Sequence, residues 1–264
     1  MRRAADDLMR RLARLLVRVF FRSVEIRGDT PALTAASRQP TVVVANHTNG
    51  LVDALLLMSS IGRFPRFLAK STLFRIPLLW PFLRLAGAIP VFRSIDGQPT
   101  TRNTATFRAS RHLLELGGLV ALFPEGISHD ESTLQELRTG AARIALESAF
   151  DDGVAGVVTL TVGLTYDAKA RFRSRALVRI GPEMPVASWR SAYQDDAHAA
   201  ARALTADLAR RLVELSPSYA RHLALRRTAG ANRRPPGRCP PGSPTASFDG
   251  FPADRACEGR RARE

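Results

Sequence analysis

Residues 41–53 read Thr-Val-Val-Val-Ala-Asn-His-Thr-Asn-Gly-Leu-Val-Asp, and the fold class turns on them. The β-branched run from Thr41 to Val44, closed by Ala45, has the composition of a short buried strand. Asn46 to Gly50 is a polar turn, and 51–60 then takes helical spacing. Working outward, the sequence predicts strands at 23–27, 66–69, 88–92, 119–123, 154–166 and 175–180. Helices are expected within 74–87, at 104–116, 139–149 and from about 193 to 215, with Gly117-Gly118 ending the second of these. Strands alternating with helices predict an α/β domain with a mostly parallel central sheet flanked by helices on both faces. In such sheets ligands bind beyond the carboxyl ends of the strands.

Ahead of this domain, residues 4–22 are a basic amphipathic helix. Leu8, Leu12, Leu15, Leu16 and Val19 fall on one side, and Arg3, Arg10, Arg11, Arg14, Arg18 and Arg22 on the other. Such a helix can lie in a membrane interface, its apolar stripe among acyl chains and its arginines on anionic headgroups. It can equally pack its leucines on the domain's own core, because amphipathicity does not discriminate between the two. The chain organisation expected is therefore a helix at 1–22, a domain at 23–227, and a disordered Pro-, Gly- and Arg-rich tail at 228–264.

Composition narrows the class without choosing a partner. The 264 residues carry 39 Lys plus Arg against 24 Asp plus Glu, a net charge of +15, and with 45% hydrophobic residues they can bury a core. Nearly all of the positive charge is Arg, since the only lysines are Lys70 and Lys169. The guanidinium forks onto phosphate oxygens, so the excess fits nucleic acid, lipid headgroups or a phosphorylated substrate. More than half of it lies at the ends: residues 1–27 hold eight arginines and three acids, and 228–264 seven arginines and four acids. The two cysteines, Cys239 and Cys257, lie in the tail and support neither a disulfide framework nor a metal site. Arginines interrupt what would be the apolar region of a signal peptide, so no cleaved leader is expected. The longest runs without a charged residue, 39–52 and 153–166, have fourteen residues each, too short for a transmembrane helix, which needs about 20.

Three groups of polar residues follow apolar strands. The first puts His47 at a strand's end and Asp53 just inside the next helix. A loop of that length can bring the carboxylate to one imidazole nitrogen and leave the other to take a proton. The plainer reading has His47 capping the loop and Asp53 serving the helix N-terminus. The second is Phe123-Pro124-Glu125-Gly126-Ile127-Ser128-His129-Asp130, where Glu125 and backbone N–H groups around Gly126 can hold hydroxyl or phosphate oxygens. The third is Arg93, a strand-terminal arginine suited to a bidentate phosphate contact. His112, His198 and His222 read as surface residues, and Trp80 and Trp189 as core or interfacial anchors. No nucleophile elbow, Gly-rich phosphate loop or paired-cysteine motif is present.

Taken in order, the His and Asp, the strand-terminal Arg and Phe-Pro-Glu-Gly resemble the blocks of the glycerolipid acyltransferase family. Phe67-Leu68-Ala69-Lys70 and Leu137-Arg138-Thr139-Gly140-Ala141-Ala142 extend the similarity over roughly 25–185. The resemblance implies transfer of a fatty acyl group from acyl-CoA or acyl carrier protein to a hydroxyl of lysophosphatidate or glycerol-3-phosphate, in phospholipid biosynthesis. By the same resemblance His47 is the general base and Asp53 orients it. Asn46, Arg93, Glu125, Gly126 and Ser128 form the acceptor site, with Arg93 on the phosphate. No metal or bound cofactor is implied. The place implied is the cytoplasmic face of a membrane, peripheral or monotopic, with a lipid surface as partner and no nucleic acid.

Three positions depart from the family pattern. Five residues, Thr48 to Val52, separate His47 from Asp53 where four are usual. Ser128 stands where many members carry Arg, and Thr161 where a strand-leading Pro is usual. The first two features are similar to the branch containing fungal glycerol-3-phosphate/dihydroxyacetone-phosphate acyltransferases, which leaves the acceptor open. A non-catalytic membrane-binding relative is the alternative these departures allow, and a basic nucleic-acid-binding protein is the one that charge alone allows.

Overall fold

The computed structural model describes residues 2–28, 30–34, 36–93, 103–126 and 134–216, so the tail expected at 228–264 lies outside the described residues. At the centre is β2 (Thr41–Ala45), buried along its whole length. β5 (Leu119–Leu122) and β6 (Val158–Tyr166) flank it, both parallel to it. Beyond β5, β3 (Arg66–Lys70) and β4 (Ile89–Val91) continue the parallel block. On the far side β7 (Ser174–Ile180) runs antiparallel to β6, and β1 (Phe21–Arg27) lies parallel to β7 at the edge. The strand order is β1-β7-β6-β2-β5-β3-β4, with the two-residue β8 (Met184–Pro185) paired to β6. The mostly parallel sheet is as expected; the reversal at β7 follows from the short connection after Tyr166, which joins neighbouring strands as antiparallel partners.

Side chains alternate across this sheet. Val43, Ala45, Leu119, Ala121, Leu160 and Val162 face α1 (Arg2–Phe20) and α2 (Leu51–Ser60). Val42, Val44, Val120 and Leu122 face α5 (Gly140–Phe150) and α7 (Ala197–Leu215). Two further helices complete the layers: the short α3 (Trp80–Leu85) beside α1, and α4 (Asn103–Glu115) beside α5. The helix expected as one piece over 193–215 is two, α6 (Arg190–Asp195) and α7. Asp196 breaks it: its backbone is extended and its carboxylate accepts the N–H groups of His198 and Ala199, at 2.8 and 2.9 Å, capping α7.

The amphipathic helix docks by a different face from the one its leucines suggest. α1 buries Met9, Ala13 and Val17, with Leu12 partly covered, while Leu8, Leu15, Leu16, Val19 and Phe20 are exposed. Phe21 opens β1 with no loop between helix and strand. Two arginines fix the helix at its ends. Arg66, buried under α1, grips Asp6 with both Nη atoms at 2.7 and 2.8 Å and also holds the Ala86 carbonyl, tying α1 to the end of α3. Arg173, whose backbone is left-handed at φ 62°, donates its N–H to the Phe20 carbonyl (2.8 Å) and its guanidinium to the Arg18 carbonyl (3.1 Å). These bonds satisfy acceptors that a helix C-terminus leaves open.

Candidate active site

Three neighbouring strands of the parallel block end at one place. The Ala45 end of β2 delivers Asn46 and His47, the Leu122 end of β5 delivers Phe123 and Glu125, and Tyr166 closes β6. Asn46 is buried, and its amide both donates to the Leu164 carbonyl (2.9 Å) and accepts the Leu164 N–H (2.7 Å), clamping β2 to β6 one residue beyond their ladder. Expected at the acceptor, it has both ends of its amide engaged by the Leu164 backbone.

From this clamp the chain turns through His47 to Gly50, whose φ of 53° starts α2 at Leu51. The turn brings Asp53, in the first turn of α2, back to His47: Nδ1 lies 2.9 Å from Oδ2. That same oxygen accepts the Asn49 N–H at 2.7 Å. The helix-terminus role and the imidazole role are therefore filled by one carboxylate. Its other oxygen, Oδ1, accepts the Tyr166 hydroxyl at 2.5 Å. Asp53 is 0% exposed, so its two oxygens meet three donors out of contact with bulk solvent. In the tautomer whose Nδ1 proton is directed at Asp53, Nε2 presents its lone pair, and the imidazole is 19% accessible to solvent.

Glu125 works on the same histidine from its backbone side. The buried carboxylate accepts the His47 N–H (2.7 Å) through Oε1 and the Gln135 N–H (3.2 Å) through Oε2. Phe123 lies flat against the imidazole, with ring centroids 4.2 Å apart and planes 11° apart, and is itself stacked on Phe67. His47 is thus fixed in position by Glu125, in plane by Phe123 and in proton placement by Asp53. Gly126 turns with φ 72° and its carbonyl accepts from Arg93 Nη1, so the end of β4 is joined to the Glu-Gly turn. The structure brings His47, Asp53, Glu125, Gly126 and Arg93 together. Ser128 lies outside the described residues.

Lys169, beyond Tyr166, closes one side of the turn: its Nζ donates to the Thr48 carbonyl and its own carbonyl accepts from Asn49 Nδ2, both at 3.3 Å. Sequence reasoning quoted Phe123 as part of the Phe-Pro-Glu-Gly stretch without giving it a role, and did not single out Tyr166. Both stand at the ends of strands flanking β2, but an aromatic there reads as core until the strand order is known. Among the described residues no group of three or more His, Cys, Asp or Glu side chains is placed to hold a metal ion.

A family model described as Acyltransferase matches residues 23–165, which includes every residue of the cluster except Tyr166 and Lys169. An uncharacterized acyltransferase of Schizosaccharomyces pombe is 28% identical over 201 residues, covering 69% of this chain and 29% of its own length. Glycerol-3-phosphate O-acyltransferase 2 of Saccharomyces cerevisiae is 37% identical over 84 residues, 32% of this chain and 11% of its own. A chloroplastic 1-acyl-sn-glycerol-3-phosphate acyltransferase of Arabidopsis thaliana is 31% identical over 127 residues, 48% of this chain and 33% of its own. The chain thus spans about a third or less of the length of these curated relatives. Among solved structures, the 1-acyl-sn-glycerophosphate acyltransferase PlsC of Thermotoga maritima has the same fold, with a TM-score of 0.58 at 18% identity over 81% of this chain and 80% of that one.

Proposed function

The chain belongs to the glycerolipid acyltransferase family, and on that premise we propose that it transfers a fatty acyl group from a thioester, acyl-CoA or acyl carrier protein, to a hydroxyl of glycerol-3-phosphate or lysophosphatidate. The observation that carries the reading is the His47–Asp53 pair, a histidine whose Nδ1 proton is held by a buried carboxylate and whose Nε2 is left to accept another. The acceptor hydroxyl gives its proton to Nε2 as its oxygen adds to the thioester carbonyl carbon. The tetrahedral oxyanion then re-forms the carbonyl, the carbon–sulfur bond breaks, and the departing thiolate takes the proton from the imidazolium. Ester and free thiol result, and His47 returns to its starting state. Arg93 carries the acceptor phosphate beside the Gly126 turn, where a fork of N–H donors matches phosphate geometry. The activities for which the Saccharomyces cerevisiae and Arabidopsis thaliana relatives are named support a glycerol-phosphate acceptor of either kind.

The second part of the proposal is that the enzyme works peripherally at the cytoplasmic face of a membrane. No described helix is long and apolar enough to cross a bilayer. What supports contact with a lipid surface is the outward stripe of α1, Leu8, Leu15, Leu16, Val19 and Phe20, with Arg11, Arg14 and Arg18 on the same helix. Beside it, the segment at 76–85 exposes Ile76, Leu78, Trp80, Phe82 and Leu85, with Leu78 82% accessible. Apolar side chains interleaved with arginine suit anionic lipid.

Labelled acyl-CoA and acyl carrier protein, each with glycerol-3-phosphate and with lysophosphatidate, test the chemistry. Wild type should acylate at least one acceptor, and His47→Ala and Asp53→Asn should each lose at least ~10²-fold in rate. No transfer to either acceptor, or full rate in His47→Ala, overturns the proposal.

A further inference from the structure

Tyr166 stands outside the family match and carries the only hydroxyl bonded to the far oxygen of Asp53 among the described residues. We infer that Tyr166 is a positioning residue of the reaction, acting through Asp53 to keep the His47 proton on Nδ1. This rests on His47 serving as the general base.

An aspartate carboxylate turns about its Cβ–Cγ bond, and a donor on each oxygen fixes that rotation and so the aim of the oxygen that faces the imidazole. Oδ2 of Asp53 meets His47 Nδ1 and the Asn49 N–H; Oδ1 meets the Tyr166 hydroxyl. Without that hydroxyl, Oδ1 would be a buried carboxylate oxygen without its donor, and only the two donors on Oδ2 would set the carboxylate's rotation. The phenol cannot drift away. Its ring is 1% exposed and stacked on Phe21, with centroids 5.7 Å and planes 22° apart, and Phe21 is the residue at which α1 passes into β1. Tyr166 is thus held by the N-terminal helix–strand junction on one side and holds Asp53 on the other. A phenylalanine would satisfy the core packing equally well, so the hydroxyl is the part that packing leaves unexplained.

Tyr166→Phe in the full chain removes the hydroxyl and keeps the ring. A hydrogen bond to a charged group of this kind corresponds to a fall of about 10- to 100-fold in kcat, with KM for donor and acceptor unchanged. In an Asp53→Asn background the same substitution should have no further effect, because its target is gone. The downfield proton resonance of His47 Nδ1–H should shift or broaden in Tyr166→Phe. Tyr193→Phe is the control: it removes a hydroxyl from the Asp151 carboxylate at 2.9 Å, far from the cluster, and should leave rate and resonance unchanged. Wild-type kcat with an unmoved resonance, or an undiminished loss in the Asp53→Asn background, overturns the inference. If Tyr166→Phe does not fold, 3-fluorotyrosine at 166 keeps ring and hydroxyl but strengthens the donor, and an unmoved resonance there also overturns it. If wild type transfers no acyl group, the functional reading fails by itself, while the resonance still decides whether Tyr166 acts through Asp53.

Discussion

Replacing Leu8, Leu15 and Val19 together by Gln separates the two faces of α1. These side chains are 56%, 58% and 51% exposed, so the folded protein leaves about half of each free to enter another apolar phase. Full burial of a Leu or Val side chain is worth about 1.5–3 kcal/mol, so half a side chain contributes about 1 kcal/mol and the three about 3 kcal/mol. On a scale of about 1.4 kcal/mol per tenfold, the triple variant should partition onto anionic vesicles about a hundredfold less well than wild type. Gln is nearly as good a helix former as Leu, and surface changes usually stay within about 0.5 kcal/mol of neutral, so thermal stability should hardly move. Co-sedimentation with vesicles containing anionic lipid, with a melting curve on the same samples, reads both. Unchanged partitioning removes α1 from any lipid contact, and a large fall in Tm would mean that the outward stripe is part of the core after all. Deleting residues 1–22 is a poorer test, since it strips Met9, Ala13, Val17 and Phe21 from the core along with the leucines.

Two further outcomes follow from groups remote from the cluster. Arg63 is buried and donates to the carbonyls of Ala32, Gln39 and Gly117 and to the Thr41 hydroxyl, with burial first and then Arg38 lowering its pKa. Arg63→Met leaves those acceptors without their donor and should lower unfolding stability by about 3 kcal/mol, and a loss under about 1 kcal/mol in denaturant titration would contradict this. Tyr193 is pushed up to about 12 by burial, then by its hydrogen bond to Asp151 and the negative charges of Asp151 and Glu147. Its folded value lies above the usual 10, so the stabilisation is present in full below pH 10 and is lost as pH rises through 12. Ultraviolet titration should show a phenolate step near pH 12 that Tyr193→Phe lacks, and an unaltered curve refutes the assignment.

The centre of the fold was legible because its signals are local. Thr41–Ala45 and Leu51–Ser60 form as read, since a β-branched run and a helical period each depend on adjacent residues only. The docking face of α1 was not legible. The leucines dominate its amphipathic pattern, whereas burial falls on Met9, Ala13 and Val17, and Ala13 contributes almost nothing to such a pattern yet lets the helix approach closely. His47, Asp53, Glu125 and Arg93 could be singled out from strand-end position and residue type, and the structure places all four together. Tyr166 and Phe123 could not be, because an aromatic at the end of an apolar strand looks like core until the neighbour that shares its edge is known. The clamp that Asn46 makes between β2 and β6 was not legible either, because Leu164, its partner, lies more than a hundred residues away in sequence.

The direct passage from α1 into β1 at Phe21 has a mechanical consequence. A helix joined to a sheet through a flexible tether can tilt, slide or lift while the sheet stays still; α1, with Asp6 clamped by Arg66 and its last carbonyls held by Arg173, is tied down at both ends. Whatever surface its outer stripe rests on, His47 stands at a fixed height above that surface. Helix and sheet then behave as a gauge block, and under the proposed function an acceptor hydroxyl would have to rise to that height to be reached.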